Sequence, residues 1–301
     1  MTKEISRLGK ELRYVTQKIP TQVIQDLDRI KAADEQYTKS RKKYHKQLTA
    51  SWIVFSISLV AMFFFPPLAI IFVISIFTTF YLNHHYKKYA RLQIEPYRYF
   101  VVERLVDLFQ RDMAEQNSLN INLDFTKSMI KPKLISEGEH PLKSGWKLKI
   151  YQDPWLNIQG EFCDRTNFDL HITEHHRNSS GWKRSRSGKR KHKSKNKFKG
   201  SEICLQLRYP AKKYGAIQVL QQDAMDAIKL PDYAEVKSFK LNSKSILLKA
   251  NLPPQFDLQT SYYKSMSDGQ KVNTTYETVT AMFLSLYQIL NLARTLSKVS
   301  N

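Results

Sequence analysis

The chain has 301 residues, with 48 Lys and Arg against 27 Asp and Glu, and a formal net charge of +21. This length accommodates one or two domains, and the positive excess favours an anionic partner. The sequence contains no phosphate-binding glycine loop of the G-x-G-x-x-G or G-x-x-x-x-G-K-[ST] type and no G-x-S-x-G nucleophile elbow. These absences argue against the enzyme classes that depend on such motifs.

Residues 1–47 form the first region, and their apolar positions recur at spacings of three and four. This periodicity predicts an N-terminal amphipathic helical region, interrupted at Pro20 because proline breaks a helix interior. The apolar stripe either packs on the C-terminal domain or forms a coiled-coil seam. Its members are Leu8, Leu12, Val15, Ile19, Val23, Leu27 and Ile30.

Residues 48–86 are strongly apolar: no charged residue occurs between positions 49 and 82, and Pro66-Pro67 divides the stretch. Each half would form a helix of ~26 Å, slightly shorter than a ~30 Å hydrocarbon core. We predict a transmembrane helical hairpin with its turn at these prolines, which either crosses the bilayer or dips into it as a wedge. Basic residues flank both ends, so the positive-inside rule places both termini in the cytoplasm. They are Arg41, Lys42, Lys43, Lys46, Lys87, Lys88 and Arg91.

Small side chains at Ser56, Ser58 and Ala61 would let a second helix approach the first arm of the hairpin closely. Such residues favour association of helices in a bilayer. The sequence therefore raises the hypothesis of a homo-oligomer.

The segment 87–118 is predicted as a juxtamembrane helix, because residues 95–116 carry an apolar face. In residues 119–301 the hydrophobic pattern changes to several stretches of period-two alternation, followed by a closing helix at 275–296. This order predicts a cytoplasmic α+β domain with a mainly antiparallel sheet. The strand candidates are 119–125, 146–151, 156–163, 168–175, 203–209, 234–241 and 245–250.

Three short motifs of this domain carry a family resemblance. They are FDLHITE at 168–174, KFKG at 197–200 and SILLKA at 245–250, in the same order as the helical lead-in and the apolar hairpin. From about residue 40 onward the chain resembles an uncharacterised bacterial family of twin-helix membrane proteins, a domain of unknown function. The resemblance implies the architecture and a bacterial inner-membrane setting, and it implies no activity. The long lysine-rich segment departs from the family pattern.

That lysine-rich segment, residues 183–199, lies between two predicted strands and contains no acid. We predict a long, disordered hairpin loop that binds anionic lipid or an acidic protein; nucleic acid is less favoured, because few aromatic residues are interleaved for base stacking. A solvated insertion without a specific partner is the alternative. The basic residues are Lys183, Arg184, Arg186, Lys189, Arg190, Lys191, Lys193, Lys195, Lys197 and Lys199.

A second group consists of histidines near position 174. On a strand, His171 and His175 would share one face, while Glu174 and His176 would point to the other. The two histidines with Cys163 or Cys204 would make a zinc site, although no metal-binding spacing supports it and polar strand faces are the ordinary explanation. We expect no cofactor. Two cysteines indicate no disulfide framework.

Together these patterns predict a non-enzymatic, membrane-anchored adaptor or scaffold that presents a cytoplasmic binding domain. The alternative is a membrane-bound, metal-dependent hydrolase of lipid or envelope material with a site around His171, Glu174 and His175. A third hypothesis is membrane shaping by a wedge hairpin.

Overall fold

The computed structural model describes residues 12–220, 223–254, 256–257, 262–263 and 267–299. Two compact units emerge: a helical unit, Gln25–Glu95, and an α+β unit formed by Met1–Ile24 together with Pro96–Asn301. The boundary of the α+β unit thus differs from the predicted one, because the chain enters this unit before the apolar helices as well as after them.

Helix α1 covers Pro20–Phe64 and is followed by a 3-10 turn, Pro66–Leu68, and by helix α2, Ala69–Arg91. Pro20 begins α1 instead of interrupting a helix, since the first helical position needs no backbone N–H. The break between the two helices falls at Pro66 and Pro67, where the turn is predicted. Phe65, with φ −138° and ψ 93°, takes the extended conformation that a following proline imposes.

Helices α1 and α2 contact each other at several levels and run in opposite directions. Ser51 Oγ lies 2.6 Å from Thr79 Oγ1, and Ser58 Oγ lies 3.4 Å from Ser75 Oγ. Ser58, predicted to support self-association, is therefore already buried within its own chain. Among the described residues, α1 alone is long and apolar enough to cross a membrane; its most apolar window has mean hydropathy 1.7 and is 11% buried.

The α+β unit contains an eight-stranded sheet in which every paired strand is antiparallel, which confirms the predicted α+β arrangement with a mainly antiparallel sheet. The order is β1-β2-β4-β5-β6-β8-β7, and β3 pairs with β4 beside β2. A separate two-stranded piece joins β9 to β10. The strands are β1 Arg13–Lys18, β2 Leu119–Asp124, β3 Leu134–Glu139, β4 Trp146–Glu161, β5 Asn167–Arg184, β6 Arg190–Arg208, β7 Glu235–Leu241, β8 Ser245–Leu252, β9 Phe256–Asp257 and β10 Tyr262–Tyr263.

Strand β1 corrects the prediction that residues 1–47 are helical. It pairs with β2 from Arg13↔Asp124 to Lys18↔Leu119, and its burial alternates with period two. Tyr14 is buried, whereas Val15, assigned to the predicted apolar stripe, is 56% exposed. The spacing of three and four described α1 correctly but not this short segment, where pairing with β2 decides the conformation. Leu8 lies outside the described residues.

Two helices, α3 (Pro96–Gln110) and α4 (Asp268–Val299), pack on one face of the sheet. The Phe109 ring lies 4.6 Å from Phe168 and 5.2 Å from Phe283, which ties both helices to β5. The predicted helix 87–118 is wrong as one element: its first residues end α2, and α3 begins after a break at residues 92–95. The predicted helix 275–296 lies within the longer α4.

The largest correction concerns residues 183–199, which are not a disordered loop. Strands β5 and β6 pair continuously from Asn167↔Arg208 to Arg184↔Arg190, so only residues 185–189 form a turn. Gly188 occupies φ 78° there, and Ser185 N donates to Lys189 O at 2.8 Å. Lysine has low strand propensity, but continued hydrogen bonding to the opposite strand overrides it.

Candidate anion-binding face

The distal halves of β5 and β6, residues 176–184 and 190–198, form a ribbon that we call the cationic ribbon. Its position depends on two bulges. Trp155 is an extra residue in β4 between Pro154 and Leu156, and Lys199 is an extra residue in β6 opposite His175 and His176. A bulge re-aims the side chains beyond it.

Directly opposite residues of an antiparallel pair project to the same face. In the cationic ribbon the pairs Arg177↔Lys197, Ser179↔Lys195, Gly181↔Lys193 and Lys183↔Lys191 share one face. We call this the cationic face. It carries six cations and no carboxylate: Arg177, Lys183, Lys191, Lys193, Lys195 and Lys197.

Apart from the pair Arg184 and Arg190 beside the turn, the opposite face of the same ribbon carries no Lys, Arg, Asp or Glu. Asn178 pairs with Asn196, and Ser180 pairs with Ser194. Asn178 Nδ2 donates to Ser194 Oγ at 2.7 Å across the two strands. The alternation K-x-K-x-K-x-K over 191–197 therefore separates charge by face, because successive residues of a strand point to opposite sides.

Within the described part of the chain, no ion pair reaches any member of the cationic face. Burial lowers the pKa of Lys197, and the charges of Lys195, Arg177, Lys199 and Lys143 lower it further. The buried Arg177 Nε has no hydrogen-bond partner among the described residues. This face concentrates positive charge that no described residue compensates, which is the electrostatic condition for binding an anion.

An apolar strip adjoins these cations on the same face. Trp146, Leu148 and Ile150 of β4 pair with Gly181, Ser179 and Arg177, respectively. Trp146 lies directly over Gly181, where a Cβ atom would come within 2.5 Å of Trp146 Cγ. Lys143 Nζ is 4.6 Å from the Trp146 ring centroid, a cation–π distance.

Five of the ten basic residues predicted to bind an anion lie on the cationic face. Of the others, Arg184 and Arg190 pair on the opposite face, Arg186 and Lys189 lie in the turn, and Lys199 is the bulge residue. Sequence reasoning missed Arg177, Lys143 and Trp146. The period-two lysine pattern was the available signal, and it would have indicated a strand with one charged face.

A second charged group lies inside the α+β unit, and we call it the buried charge cluster. Arg98 of α3 is fully buried; its Nη2 lies 2.7 Å from Asp153 Oδ2 and 3.1 Å from Ser128 Oγ. Lys133 Nζ lies 2.6 Å from Asp153 Oδ1 and 3.1 Å from Asp124 Oδ2. Asp153 and Asp124 therefore each have a cation beside them, as low-dielectric surroundings require.

Glu174 completes this cluster from β5. Its carboxylate accepts from Tyr97 Oη at 2.8 Å and lies 3.1 Å from His176 Nε2. Burial by itself would raise the pKa of Glu174, but the hydrogen bond with His176 and the positive charges of Arg98 and Lys271 outweigh burial and lower the pKa to about 2. Glu174 is therefore a structural anion at neutral pH.

Asp153, Glu174 and His176 offer ligand atoms that all lie within 4.8 Å of one another, so their spacing is compatible with a metal ion. The chemistry fits poorly, because Arg98 and Lys133 already neutralise Asp153 at 2.7 and 2.6 Å. A divalent ion would have to enter beside two buried cations. We therefore interpret the group as a self-contained ion cluster.

The predicted zinc residues His171 and His175 do not join this group. His171 Nε2 lies 2.8 Å from Asp169 Oδ1 and its side chain is 46% exposed. Burial lowers the pKa of His175, and a nearby Glu202 opposes that shift. Both histidines lie on the sheet face opposite Glu174, as their alternation predicted, so the proposed hydrolase site around all three residues is not assembled.

The two cysteines are free. Cys163 is exposed, and Cys204 pairs with His171 on the outer face of the sheet. Burial raises the pKa of the Cys204 thiol, with Lys249 opposing the shift. A raised pKa keeps the thiol protonated and unreactive as a nucleophile or metal ligand.

A comparison with protein-family models, with curated proteins and with solved structures finds no match to this chain. The family resemblance drawn from the three motifs therefore stays a prediction.

Proposed function

We propose that this chain is a membrane-anchored, non-catalytic adaptor whose sheet presents the cationic face to an anionic partner. The observation that carries the proposal is the segregation of six uncompensated cations onto one face of the ribbon formed by β5 and β6. Charges that serve only the fold are paired inside proteins. The charges of the cationic face instead point outward and have no ion-pair partner among the described residues.

The proposed anchor is a hairpin of α1 and α2. Its apolar side chains are exposed, Phe63 by 76%, Phe77 by 71% and Phe80 by 71%. The hydroxyl groups of Ser51, Ser58, Ser75 and Thr79 instead lie between the two helices. An apolar exterior with hydrogen-bonded polar groups between the helices suits a lipid environment. The flanking cations favour cytoplasmic placement of both ends.

An adaptor is preferred over the hydrolase alternative because the two histidines named for that activity lie on the sheet face opposite Glu174. The compact cluster around Glu174 is fully engaged with Arg98, Tyr97 and His176. The bacterial inner membrane is the proposed location, on the strength of the motif resemblance and the basic flanks.

The membrane part of the proposal is tested by fractionation of cells that produce the full chain. An integral anchor keeps the protein in the membrane pellet after extraction with alkaline carbonate and releases it only with detergent. Release by carbonate alone would contradict an inserted hairpin and would show that the protein is attached only to the membrane surface.

The anion-binding part is tested by the salt needed to elute the full chain, in detergent, from immobilised heparin. The face variant replaces Lys191, Lys193, Lys195 and Lys197 by Gln, and the matched control replaces Lys147, Lys149, Arg184 and Arg190 by Gln. Each variant loses four charges from the same sheet: the face variant loses them from β6 on the cationic face, and the control loses them from β4, β5 and β6 on the opposite face. We expect clearly earlier elution for the face variant only. Equal shifts would mean that net charge, not the face, determines binding.

A further inference from the structure

Resting on the proposed function, we infer that the anionic partner is the surface of a bilayer that contains acidic phospholipid. The cationic face would lie against the headgroups, with the apolar strip of Trp146, Leu148 and Ile150 entering the interface between headgroups and acyl chains.

The shape of the charge array favours an extended, planar partner. Alternate residues of a strand are ~6.8 Å apart, so the lysines from Lys191 to Lys197 form a straight row of ~20 Å. Arg177 and Lys183 lie beside this row on the neighbouring strand. All six cations project from one face of a sheet, and such an array matches an extended planar anion better than a narrow, enclosed one. A bilayer with acidic headgroups is such an anion.

The composition of the strip that adjoins the cations also favours a membrane surface. Ile150 is 39% exposed on this face, and Leu142, in the turn before β4, is 87% exposed. Tryptophan together with lysine is typical of the membrane interface, where a partly apolar ring and a charged side chain are both accommodated. Exposed apolar residues beside uncompensated lysines are explained together by this one environment.

The placement of the aromatic residues favours lipid over single-stranded nucleic acid. Sequence-tolerant binding of single strands relies on aromatic rings on which bases stack. Trp146 is the aromatic residue beside the row, and one side of its ring lies on Gly181 while Lys143 lies over the ring at 4.6 Å. Trp182, 64% exposed, pairs with His192 on the other face. The cationic face therefore offers no free ring for a base.

The excess of lysine over arginine favours lipid over an acidic protein. Protein interfaces are enriched in arginine and depleted in lysine, because the guanidinium group is more weakly hydrated and binds carboxylates in a fixed geometry. The cationic face has five lysines and one arginine. Lysines that remain hydrated suit the mobile, wet headgroup layer.

The experiment uses the full chain in lipid nanodiscs, in which both membrane surfaces are accessible. Cys163 and Cys204 are replaced by Ser, and an environment-sensitive nitrobenzoxadiazole dye is attached at Ile150→Cys. Discs contain phosphatidylcholine alone or with one third phosphatidylglycerol. We expect a blue shift and higher emission in the acidic discs, lost at high salt because the Debye length falls from ~10 Å at 0.1 M to ~3 Å at 1 M.

Two matched controls locate the effect. The dye at Lys149→Cys, one residue away on the opposite face of the sheet, should show no shift. In the Ile150→Cys background, the face variant should lose the shift and the opposite-face control should keep it. The salt reversal in the unmutated face tests the inference even if the face variant folds poorly.

The outcomes distinguish the inference from the proposed function. Face-dependent heparin binding without any lipid-dependent shift would overturn the lipid assignment and leave an anion-binding adaptor. Loss of both signals would overturn both. A shift produced in phosphatidylcholine discs by adding single-stranded RNA, and not by phosphatidylglycerol, would assign the face to nucleic acid instead.

Discussion

The buried charge cluster and the cationic face are two charged regions of the same unit, and they treat charge in opposite ways. In the cluster, Arg98 and Lys133 approach Asp153 to 2.7 and 2.6 Å. On the cationic face, the described residues provide no acid at all for six cations. The difference teaches that pairing within the chain serves the fold, because a buried lone charge is costly, whereas exposed uncompensated charge is available to a partner. Substitutions in the two regions should therefore have different effects: those in the buried charge cluster should change stability, and those on the cationic face should change binding.

The largest expected effect follows from Arg98→Met. The variant leaves Asp153 and Glu174 buried near each other with less compensation. We expect a loss of about 3–5 kcal/mol in the free energy of unfolding, the range for breaking a buried ion pair. Denaturant unfolding of the full chain in detergent measures it, with Arg104→Met as the control, since Arg104 is on the same helix and bonds the exposed Asn273. Equal losses in the two variants would contradict a special role for the cluster.

The next effect is a pH dependence from Glu174. Its folded pKa of about 2 lies below the ordinary value of 4.5. A lowered carboxylate pKa adds stability that is fully present above pH 4.5 and is lost as pH falls towards about 2. At about 1.4 kcal/mol per pH unit, the difference between the two values corresponds to about 3 kcal/mol.

Unfolding free energies of the native chain and of Glu174→Gln, measured from pH 7 to pH 2, should therefore converge as the solution is acidified. Curves that stay parallel over this range would show that the charge of Glu174 contributes nothing to folding.

A smaller effect is expected from Gly181→Ala in the ribbon. The new methyl group would meet Trp146 Cγ at 2.5 Å, so the indole must move off the strand. Overpacking of this kind costs about 1–3 kcal/mol in a core, and we expect the low end here because Trp146 is only half-buried. Gly138→Ala is the control, since nothing lies within 4 Å of its added methyl group. Thermal unfolding compares the melting temperatures of the two variants. The emission of the dye attached at Ile150→Cys should also change in the Gly181→Ala variant.

The smallest effect on stability is expected from the face variant itself. Like charges directly opposite or beside one another on a sheet destabilise it, and the pKa of Lys197 is already lowered. Replacing these lysines by Gln should leave the melting temperature unchanged or slightly higher while heparin affinity falls. A large drop in melting temperature would show that these lysines stabilise the fold, contrary to the binding role proposed for them.

Much of the architecture was predictable because its causes are local. Pro66 ends α1 through its own ring, and the period-two alternation in β2, β5 and β8 identified those strands and an α+β fold. The start of α4 also has a local cause that the predicted helix at 275–296 does not include: Ser267 and Gln270 form a reciprocal capping box. Gln270 N donates to Ser267 Oγ at 3.3 Å, and Ser267 N donates to Gln270 Oε1 at 3.1 Å.

The candidate site was only half predictable. The sequence by itself determined that ten basic residues cluster in one segment, and that histidines 171 and 175 face away from Glu174. It did not reveal that the segment is a paired ribbon, since lysines have weak strand preference and the pairing energy comes from the opposite strand.

The tertiary structure alone decided the rest. Arg98 meets Asp153 across 55 positions of sequence and Tyr97 meets Glu174 across 77, contacts that no local pattern encodes. The bulges at Trp155 and Lys199 set which side chains face inward, and thereby which charges the protein neutralises and which it leaves outside. Local sequence specifies the conformation of a segment; the balance of charge depends on which distant segments pack against it.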